Sequence, residues 1–204
     1  LNQYFTIELA SSDASFRRYF RIICNKKTYI LMDAPPQLER IDHFINITNK
    51  LVTAEINSPK IISSDNELGF ILMSDFGSQT FLDVLDIDNS HELYSKAINT
   101  LLKIQTKVDT KGLKDYSEEL LINEMLLFPE WYLAKFKKFK LKEQSEMYEI
   151  FSLISKKALT QNKCFIHRDY HSRNLMFIAK STPGILDYQD AVVGPLTYDL
   201  VSLL

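Results

Sequence analysis

Apolar and polar residues alternate along the first third of the chain, which is the pattern of half-buried β-strands. The alternating segments are rich in aromatic and β-branched residues, and polar turns such as Asn25-Lys26-Lys27 separate them. Short turns between successive strands favour an antiparallel sheet. The predicted strands cover residues 5–9, 16–23, 28–32, 61–62 and 70–73.

Apolar residues spaced three or four positions apart predict amphipathic helices elsewhere in the chain. One helix is expected at 38–56, and Pro59 ends it. Helical spacing dominates beyond residue 79, short strands return after Cys164, and a last helix begins near Leu196. The further helices are predicted at 80–85, 92–108, 118–139 and 145–159, and the further strands at 165–166, 175–178 and 184–186.

The change from strands to helices near residues 74–79 predicts an α+β fold of two lobes. Residues 1–75 are expected to form an antiparallel sheet with one helix, and residues 76–204 a mostly helical C-terminal lobe. The chain does not begin with Met, and Leu203 and Leu204 lie in an apolar segment. We therefore expect that both ends are cut and that the second lobe is truncated.

Composition narrows the classes of function. The chain has 204 residues, 46% of them hydrophobic, and a formal net charge of -2, so we expect no nucleic-acid partner. The basic run at 135–142, with interleaved phenylalanines, is interpreted as a solvated helix face beside an apolar core stripe. We expect a cytoplasmic protein without a membrane partner, because no apolar run approaches the ~20 residues of a membrane span and no leader is recognised. Cys24 and Cys164 are expected to be two buried thiols, and one disulfide between them is the alternative.

The stretch that carries chemistry follows the predicted strand at 165–166. It reads His167-Arg168-Asp169, four further residues and then Asn174, and Asp187 comes thirteen residues later after another apolar strand. Transfer of a phosphoryl group from ATP needs a base beside the acceptor hydroxyl and Mg²⁺ beside the triphosphate. In this arrangement Asp169 would accept the hydroxyl proton, and Asn174 and Asp187 would supply oxygen ligands to Mg²⁺.

Two other residues of this region are expected to have structural roles. His167 is interpreted as part of the scaffold of the loop. Asp199, at the start of the last helix, is expected to accept hydrogen bonds from the backbone of the catalytic loop. The alternative is an incidental Asp and Asn in a polar loop, and it is disfavoured because the loop motif, the flanking strands and the second Asp agree.

These motifs are similar to those of a known superfamily. The loop from His167 to Asn174 and the segment from Leu186 to Leu204 resemble the aminoglycoside-phosphotransferase-like superfamily, which has a bilobal protein-kinase-like fold. Segments 11–21, 32–36 and 127–132 resemble the bacterial anomeric kinases of N-acetylmuramate and N-acetylglucosamine, which phosphorylate the C1 hydroxyl in cell-wall recycling. The resemblance covers nearly the whole chain, and it implies ATP and Mg²⁺ as cofactors and an amino sugar as the acceptor.

The resemblance also assigns site residues by position. Adenine is expected at a hinge near Ser74, Asp75 and Phe76. Ser12 and Ser15 lie where other kinases place a loop over the phosphates. The candidate residues for contact with the acceptor are Arg173, Asp190 and Trp131. Core packing is the alternative role for the Trp.

One departure from the kinase plan concerns the third strand. Protein kinases carry a phosphate-binding Lys there, whereas this chain has Ile30-Leu31-Met32-Asp33. The arginines that are candidates to replace the Lys are Arg17, Arg18 and Arg21. The alternative is that these arginines are surface charges. The carboxylates available for an ion pair from the following helix are Glu39 and Glu55.

The resemblance gives each lobe a role, nucleotide binding for residues 1–75 and catalysis with acceptor binding for residues 76–204. Two other functions stay open. The chain could phosphorylate another small alcohol, of the aminoglycoside or choline type, or it could be a catalytically silent module that holds nucleotide. The missing Lys is the only support for the silent module, and the joint presence of Asp169, Asn174 and Asp187 opposes it.

Overall fold

The computed structural model describes residues 5–12, 16–139 and 145–204. The strands are β1 Phe5–Ser12, β2 Arg18–Cys24, β3 Lys27–Asp33, β4 Ile61–Asp65, β5 Phe70–Ser74, β6 Lys163–Ile166, β7 Leu175–Met176, β8 Gly184–Ile185 and β9 Val192–Pro195. The helices are α1 Ile41–Thr53, α2 Phe81–Val84, α3 Ser90–Lys107, α4 Glu118–Leu127, a π-helix at Phe128–Phe136, α5 Ser145–Leu159 and α6 Tyr198–Leu203. This order of elements confirms the predicted α+β class.

The N-terminal strands form one sheet in the order β1-β2-β3-β5-β4. Every pair in it is antiparallel, as predicted. The β2–β3 turn places Asn25 and Lys26 at φ of 50° and 64°, and two such residues form a tight turn that suits the twist of the strands. Helix α1 buries its apolar stripe in one core with Met32 and Ile71 of the sheet. The buried residues of this stripe include Ile41, Phe44, Ile47 and Leu51.

Two segments differ from the predicted pattern. The first predicted strand ends at residue 9, but β1 continues to Ser12, because its backbone pairs with Arg18 of β2. No strand is predicted between Asp187 and the last helix, but β9 lies there and pairs with β6. The only sequence signal for β9 is Val192-Val193, a run too short to predict a strand by itself.

The single helix predicted at 118–139 is wrong in its second half. A π-helix follows α4 from Phe128 onward, because Pro129 has no N–H group for an α-helical hydrogen bond. The predicted core stripe of this segment is also wrong, since the side chain of Phe136 is 71% exposed. Phe128, Tyr132 and Phe136 instead stack on one another in a row.

One cluster of buried residues runs from the five-stranded sheet into the C-terminal half of the chain. Tyr188 stacks on Phe44 of α1 with the ring centroids 5.2 Å apart. Its hydroxyl group is hydrogen-bonded to the hydroxyl of Thr48 at 2.8 Å. The division into residues 1–75 and 76–204 stays a prediction, because the core continues across it.

Both cysteines are free thiols, as predicted, but only Cys164 is buried, whereas Cys24 is partly exposed. Burial raises the pKa of the Cys164 thiol to about 11. Because the thiolate is the reactive form, Cys164 is expected to be chemically inert at neutral pH. Across the described ranges, every helix is too short or too polar to cross a membrane.

The turn between β4 and β5 gives a test of the fold. Gly69 has φ of +75°, and a Cβ there would lie 2.0 Å from the carbonyl oxygen of Ala34. Gly69→Ala is expected to lower the free energy of unfolding by about 3 kcal/mol or more, because left-handed strain and steric overlap act together. Urea unfolding measures this loss.

Gly112→Ala is the matched control. Gly112 has φ of +80° with open space around it, so only the backbone strain of about 1–2 kcal/mol is expected. Equal losses in the two variants would contradict the steric part of the argument.

Candidate active site

The loop after β6 carries His167, Arg168 and Asp169, and the side chain of Asp199 in α6 fixes it. The N–H of His167 donates to Oδ2 of Asp199 at 2.7 Å, and the N–H of Arg168 donates to Oδ1 at 3.0 Å. Asp199 is fully buried, and burial raises its pKa to about 6. The hydrogen bonds expected of Asp199 are therefore present, and they hold the two residues that precede Asp169.

Arg168 has φ of 80°, a left-handed conformation that is uncommon for a residue with a side chain. Its guanidinium donates to Oε1 of Glu124 in α4 at 2.5 Å. Glu124 also accepts hydrogen bonds from the hydroxyl groups of Tyr116 and Tyr198. Sequence reasoning missed these three partners, because only the fold brings them to the loop. Together they fix the backbone immediately before Asp169.

His167 ties the catalytic loop to the segment that precedes Asp187. Its ring is fully buried, and Nε2 lies 2.8 Å from the carbonyl oxygen of Leu186. Because a carbonyl oxygen only accepts, Nε2 carries the proton in this contact. Burial lowers the pKa of His167 to about 4, so the ring is neutral at pH 7. This geometry suits a structural role.

Asp169, Asn174 and Asp187 lie together. The side-chain amide of Asn174 donates to the carbonyl oxygen of Asp169 at 3.0 Å and lies 3.4 Å from Oδ2 of Asp187. Burial, followed by the charge of Asp187, raises the pKa of Asp169. Asp187 has φ of 61°, and its Oδ1 accepts a hydrogen bond from the amide of Gln189 at 2.8 Å. Sequence reasoning did not single out this Gln.

The donor set of this group fits Mg²⁺. The carboxylate of Asp187 and the amide oxygen of Asn174 are the hard oxygen ligands that Mg²⁺ prefers. A divalent cation would also offset the negative charge that raises the pKa of Asp169. In the part of the chain that the structure describes, no three His, Cys, Asp or Glu side chains form a metal cluster. Water would therefore complete the coordination.

A cleft of about 410 Å³ lies beside this group. Its size is typical of a small-molecule site. The predicted site residues that line it are Arg21, Ser74, Asp75, Phe76, Arg173, Asn174 and Asp187. Of the loop predicted over the phosphates, Ser15 lies outside the described residues, and Ser12 is described only by its backbone as the end of β1.

Arg21 forms hydrogen bonds that stabilise the predicted hinge. Its guanidinium donates to both carboxylate oxygens of Asp75, at 2.7 and 3.1 Å, and to the carbonyl oxygen of Gly77 at 2.8 Å. Burial alone would raise the pKa of Asp75, but the hydrogen bonds from Arg21 and the Gly77 amide lower it overall. The Asp75 side chain therefore holds the shape of the hinge, and its contribution to ligand binding would come from the backbone.

The three candidate arginines have different environments. Arg21 is the one that lines the cleft. Arg17 is buried, and its Nε lies 3.4 Å from Oε2 of Glu39. Arg18 forms an ion pair with Asp33, and its side chain is 61% exposed. The surface-charge interpretation therefore suits Arg18 but not Arg17.

The residues predicted to contact the acceptor are spread more widely. Arg173 is exposed and lines the cleft beside Asn174. Asp190 is exposed and is not part of that lining. Trp131 lies on the π-helix with its side chain 56% exposed, and Nζ of Lys135 sits 3.4 Å from its ring centroid. Core packing is therefore wrong for Trp131, and it does not line the cleft.

Several known proteins have sequences similar to this one. The model of the phosphotransferase enzyme family matches residues 6–204. An N-acetylmuramate/N-acetylglucosamine kinase of Pseudomonas aeruginosa is 44% identical over 197 residues, which cover 95% of this chain and 58% of the relative. A kinase of the same name from Pseudomonas putida is 42% identical over 200 residues, which cover 97% and 59%. The chain thus spans less than two thirds of the length of these relatives.

Solved structures share the fold at low sequence identity. Choline kinase LicA from Streptococcus pneumoniae has a TM-score of 0.70 at 16% identity, over 100% of this chain and 69% of that chain. The streptomycin–ATP–APH(2")-IIa ternary complex has a TM-score of 0.61 at 16% identity, over 96% and 69%. These likenesses confirm the predicted kinase-like fold class.

The buried histidine predicts a dependence of stability on pH. His167→Gln keeps a donor for Leu186 but removes the titrating ring. The folded-state pKa is about 4 and that of an unfolded His is about 6.5, so between these values the unfolded protein binds more protons. The stability associated with the neutral ring is therefore lost as pH falls through this window. From pH 7 to pH 4, the free energy of unfolding is therefore expected to decrease by about 3 kcal/mol more in the wild type than in His167→Gln.

The control for this experiment is His43→Gln, because His43 is exposed on α1. Urea unfolding at several pH values between 4 and 7 measures the three proteins. Parallel profiles for the wild type and His167→Gln would contradict the assignment of a buried neutral ring.

Proposed function

Because the chain belongs to the phosphotransferase enzyme family, we propose that it acts as an ATP- and Mg²⁺-dependent kinase of an amino sugar. The acceptor is N-acetylmuramate or N-acetylglucosamine, and the γ-phosphate goes to the C1 hydroxyl. The observation that carries the proposal is that Asn174 and Asp187 line a cleft that is also lined by the hinge, and that the side-chain amide of Asn174 holds the backbone of Asp169 beside them.

The cleft is the proposed site of ATP. Ile30, Met73 and Phe76 give it an apolar part that suits adenine, whereas Asn174 and Asp187 give it a polar part that suits the phosphates and Mg²⁺. Residues 1–75 would accordingly bind most of the nucleotide. Residues 76–204 would supply catalysis and acceptor binding.

In the proposed reaction, the acceptor oxygen attacks the γ-phosphorus and the bond from that phosphorus to ADP breaks. Asp169 accepts the proton of the acceptor hydroxyl, and its raised pKa favours this role. Asn174 and Asp187 would hold the Mg²⁺, which would supply positive charge to neutralise the phosphates. Arg168 and Glu124 keep the loop in the shape that presents Asp169.

The sugar assignment is supported by the two Pseudomonas relatives, both of which are named as kinases of these sugars. Arg173 and Asp190 are the proposed acceptor contacts, because both are exposed close in sequence to the catalytic residues. An ATP-dependent enzyme draws on the ATP of the cytoplasm, so a cytoplasmic location is part of the proposal. Neither a nucleic acid nor a membrane is among the proposed partners.

Phosphorus NMR tests the reaction. The protein is incubated with ATP, Mg²⁺ and either sugar, and a sugar-1-phosphate signal is expected. Asp169→Asn is expected to lower the rate by about 10²–10⁴-fold, since it removes the proton acceptor. Calorimetry serves as the control, because ATP affinity should change less than about threefold when a base that does not bind nucleotide is lost.

Other outcomes would redirect the proposal. Phosphorylation of only an aminoglycoside, choline or another alcohol would overturn the sugar assignment and keep the kinase. ATP binding without transfer to any acceptor would favour the silent module. Full activity in Asp169→Asn would remove this residue from the mechanism.

A separate prediction concerns the metal. Asp187→Asn is expected to weaken binding of Mg²⁺-ATP by about tenfold or more, because a carboxylate ligand is lost. Calorimetric titration with ATP at increasing Mg²⁺ measures the effect. Asp88→Asn, at an exposed turn, is the matched control. Unchanged affinity and unchanged turnover in Asp187→Asn would show that the metal assignment is wrong.

A further inference from the structure

The contact between Arg17 and Glu39 has no part in the reaction as described so far. The Arg17 side chain is 7% exposed and that of Glu39 30%, and Nε lies 3.4 Å from Oε2. Burying two opposite charges has a desolvation penalty, and this penalty often exceeds the Coulomb attraction between them. The separation also exceeds the about 2.7–2.9 Å of a well-formed charge-assisted hydrogen bond. The contact between Arg17 and Glu39 is therefore by itself a weak source of stability.

Arg17 directly precedes β2, and its burial beside an exposed Arg18 continues the side-chain alternation of that strand. The alternation puts Arg17 on the face of Tyr19 and Arg21, which line the cleft, whereas Arg17 itself lies next to that lining rather than in it. Arg21 marks the hinge end of this face, because it binds Asp75. Four residues of strand span about 13 Å, so Arg17 lies well beyond the hinge, on the side of the cleft where the phosphates of a hinge-bound nucleotide would lie.

The neighbouring strand has no cation at this point. Tyr19 pairs in register with Met32 of β3, and Met32 shares the face of Ile30, which lines the cleft. Met32 is 1% exposed and belongs to the apolar core. In protein kinases a Lys of β3 pairs with a Glu of the following helix and contacts the phosphates. Here β3 supplies no such Lys.

The charges already in the cleft do not replace that Lys. Within the described residues, the cations in its lining are Arg21 and Arg173. Arg21 is taken up by Asp75 and by the carbonyl oxygen of Gly77. Arg173 lies on the opposite wall, next to Asn174. On the sheet side of the cleft, Arg17 is therefore the described cation that remains as a candidate to bind phosphate.

We propose that Arg17, held by Glu39, binds the phosphates of ATP in place of the missing β3 lysine. Glu39 lies two residues before α1, so the carboxylate comes from the approach to the helix rather than from the helix itself. A guanidinium suits the role because its planar donors match phosphate oxygens. The inference rests on the proposed function, since it requires that the cleft binds ATP.

Calorimetry with two ligands tests this proposal. Arg17→Met keeps much of the side-chain length and removes the charge. Its affinity for Mg²⁺-ATP is expected to fall about 10- to 100-fold, the value of one or two hydrogen bonds to a charged group. Its affinity for adenosine, which has no phosphate, is expected to stay within about twofold of the wild type.

Three further variants sharpen the result. Arg17→Lys is expected to recover part of the ATP affinity, and Glu39→Gln to lose about 3- to 10-fold, because the guanidinium is then less well positioned. Arg40→Met is the matched control, since Arg40 is exposed beside Glu39 and pairs only with Asp42 among the described residues. It should bind both ligands as the wild type does.

The outcomes separate this inference from the proposed function. ATP affinity in Arg17→Met equal to that of the wild type would overturn the inference and leave the kinase proposal intact. Equal losses for ATP and adenosine would assign Arg17 a purely structural role and would also overturn it. Failure of the wild type to bind ATP would overturn both. If Arg17→Met does not fold, the affinities of Arg17→Lys and Glu39→Gln for Mg²⁺-ATP and for adenosine are compared instead. A loss confined to Mg²⁺-ATP would support the inference, and equal affinities or equal losses would overturn it.

Discussion

The catalytic loop depends on one buried carboxylate. Asp199 accepts the N–H groups of two successive residues, His167 and Arg168, and two neighbouring amides can reach one carboxylate only if the backbone bends sharply. The left-handed conformation of Arg168 follows immediately and sets the direction in which the chain continues to Asp169. Burial of Asp199 is unfavourable, as its raised pKa shows, and the left-handed backbone adds strain. The buried carboxylate and the strained backbone both lie at the turn that carries Asp169. Unfavourable conformations of this kind are concentrated at functional sites.

A second constraint joins this loop to the sheet. Tyr188, adjacent to Asp187, stacks on Phe44 and is hydrogen-bonded to Thr48, both in α1. The same helix begins just after Glu39. The proposed phosphate and metal contacts thus attach to the same packed element, the first just before the N-terminus of α1 and the second at Phe44 and Thr48 within the helix, although they come from different halves of the chain. Displacement of α1 would therefore disturb both at once, as with the helix that carries the Glu of protein kinases.

The sequence predicted those features whose signals are local. The strands, α1, α5 and the loop from His167 to Asn174 are marked by periodicity or by a fixed spacing, and the structure contains them. It did not predict Glu124 as the partner of Arg168, because this contact joins residues 44 positions apart and neither has a distinctive neighbourhood. The π-helix was missed because Pro129 lies where helical periodicity otherwise continues. β9 was missed because pairing with β6, rather than its own residues, makes it a strand.

Asp199 lies 32 residues after His167, and this separation affects the order in which the parts of the site fold during synthesis. Synthesis proceeds from the N-terminus, so the residues of the five-stranded sheet leave the ribosome first and can begin to pair locally. The loop at His167 follows, but its acceptor is 32 residues further on. Until that segment emerges, the N–H groups of His167 and Arg168 lack the carboxylate that accepts their hydrogen bonds. The nascent chain would therefore acquire its hinge early, and the loop geometry around Asp169 only after α6 has formed.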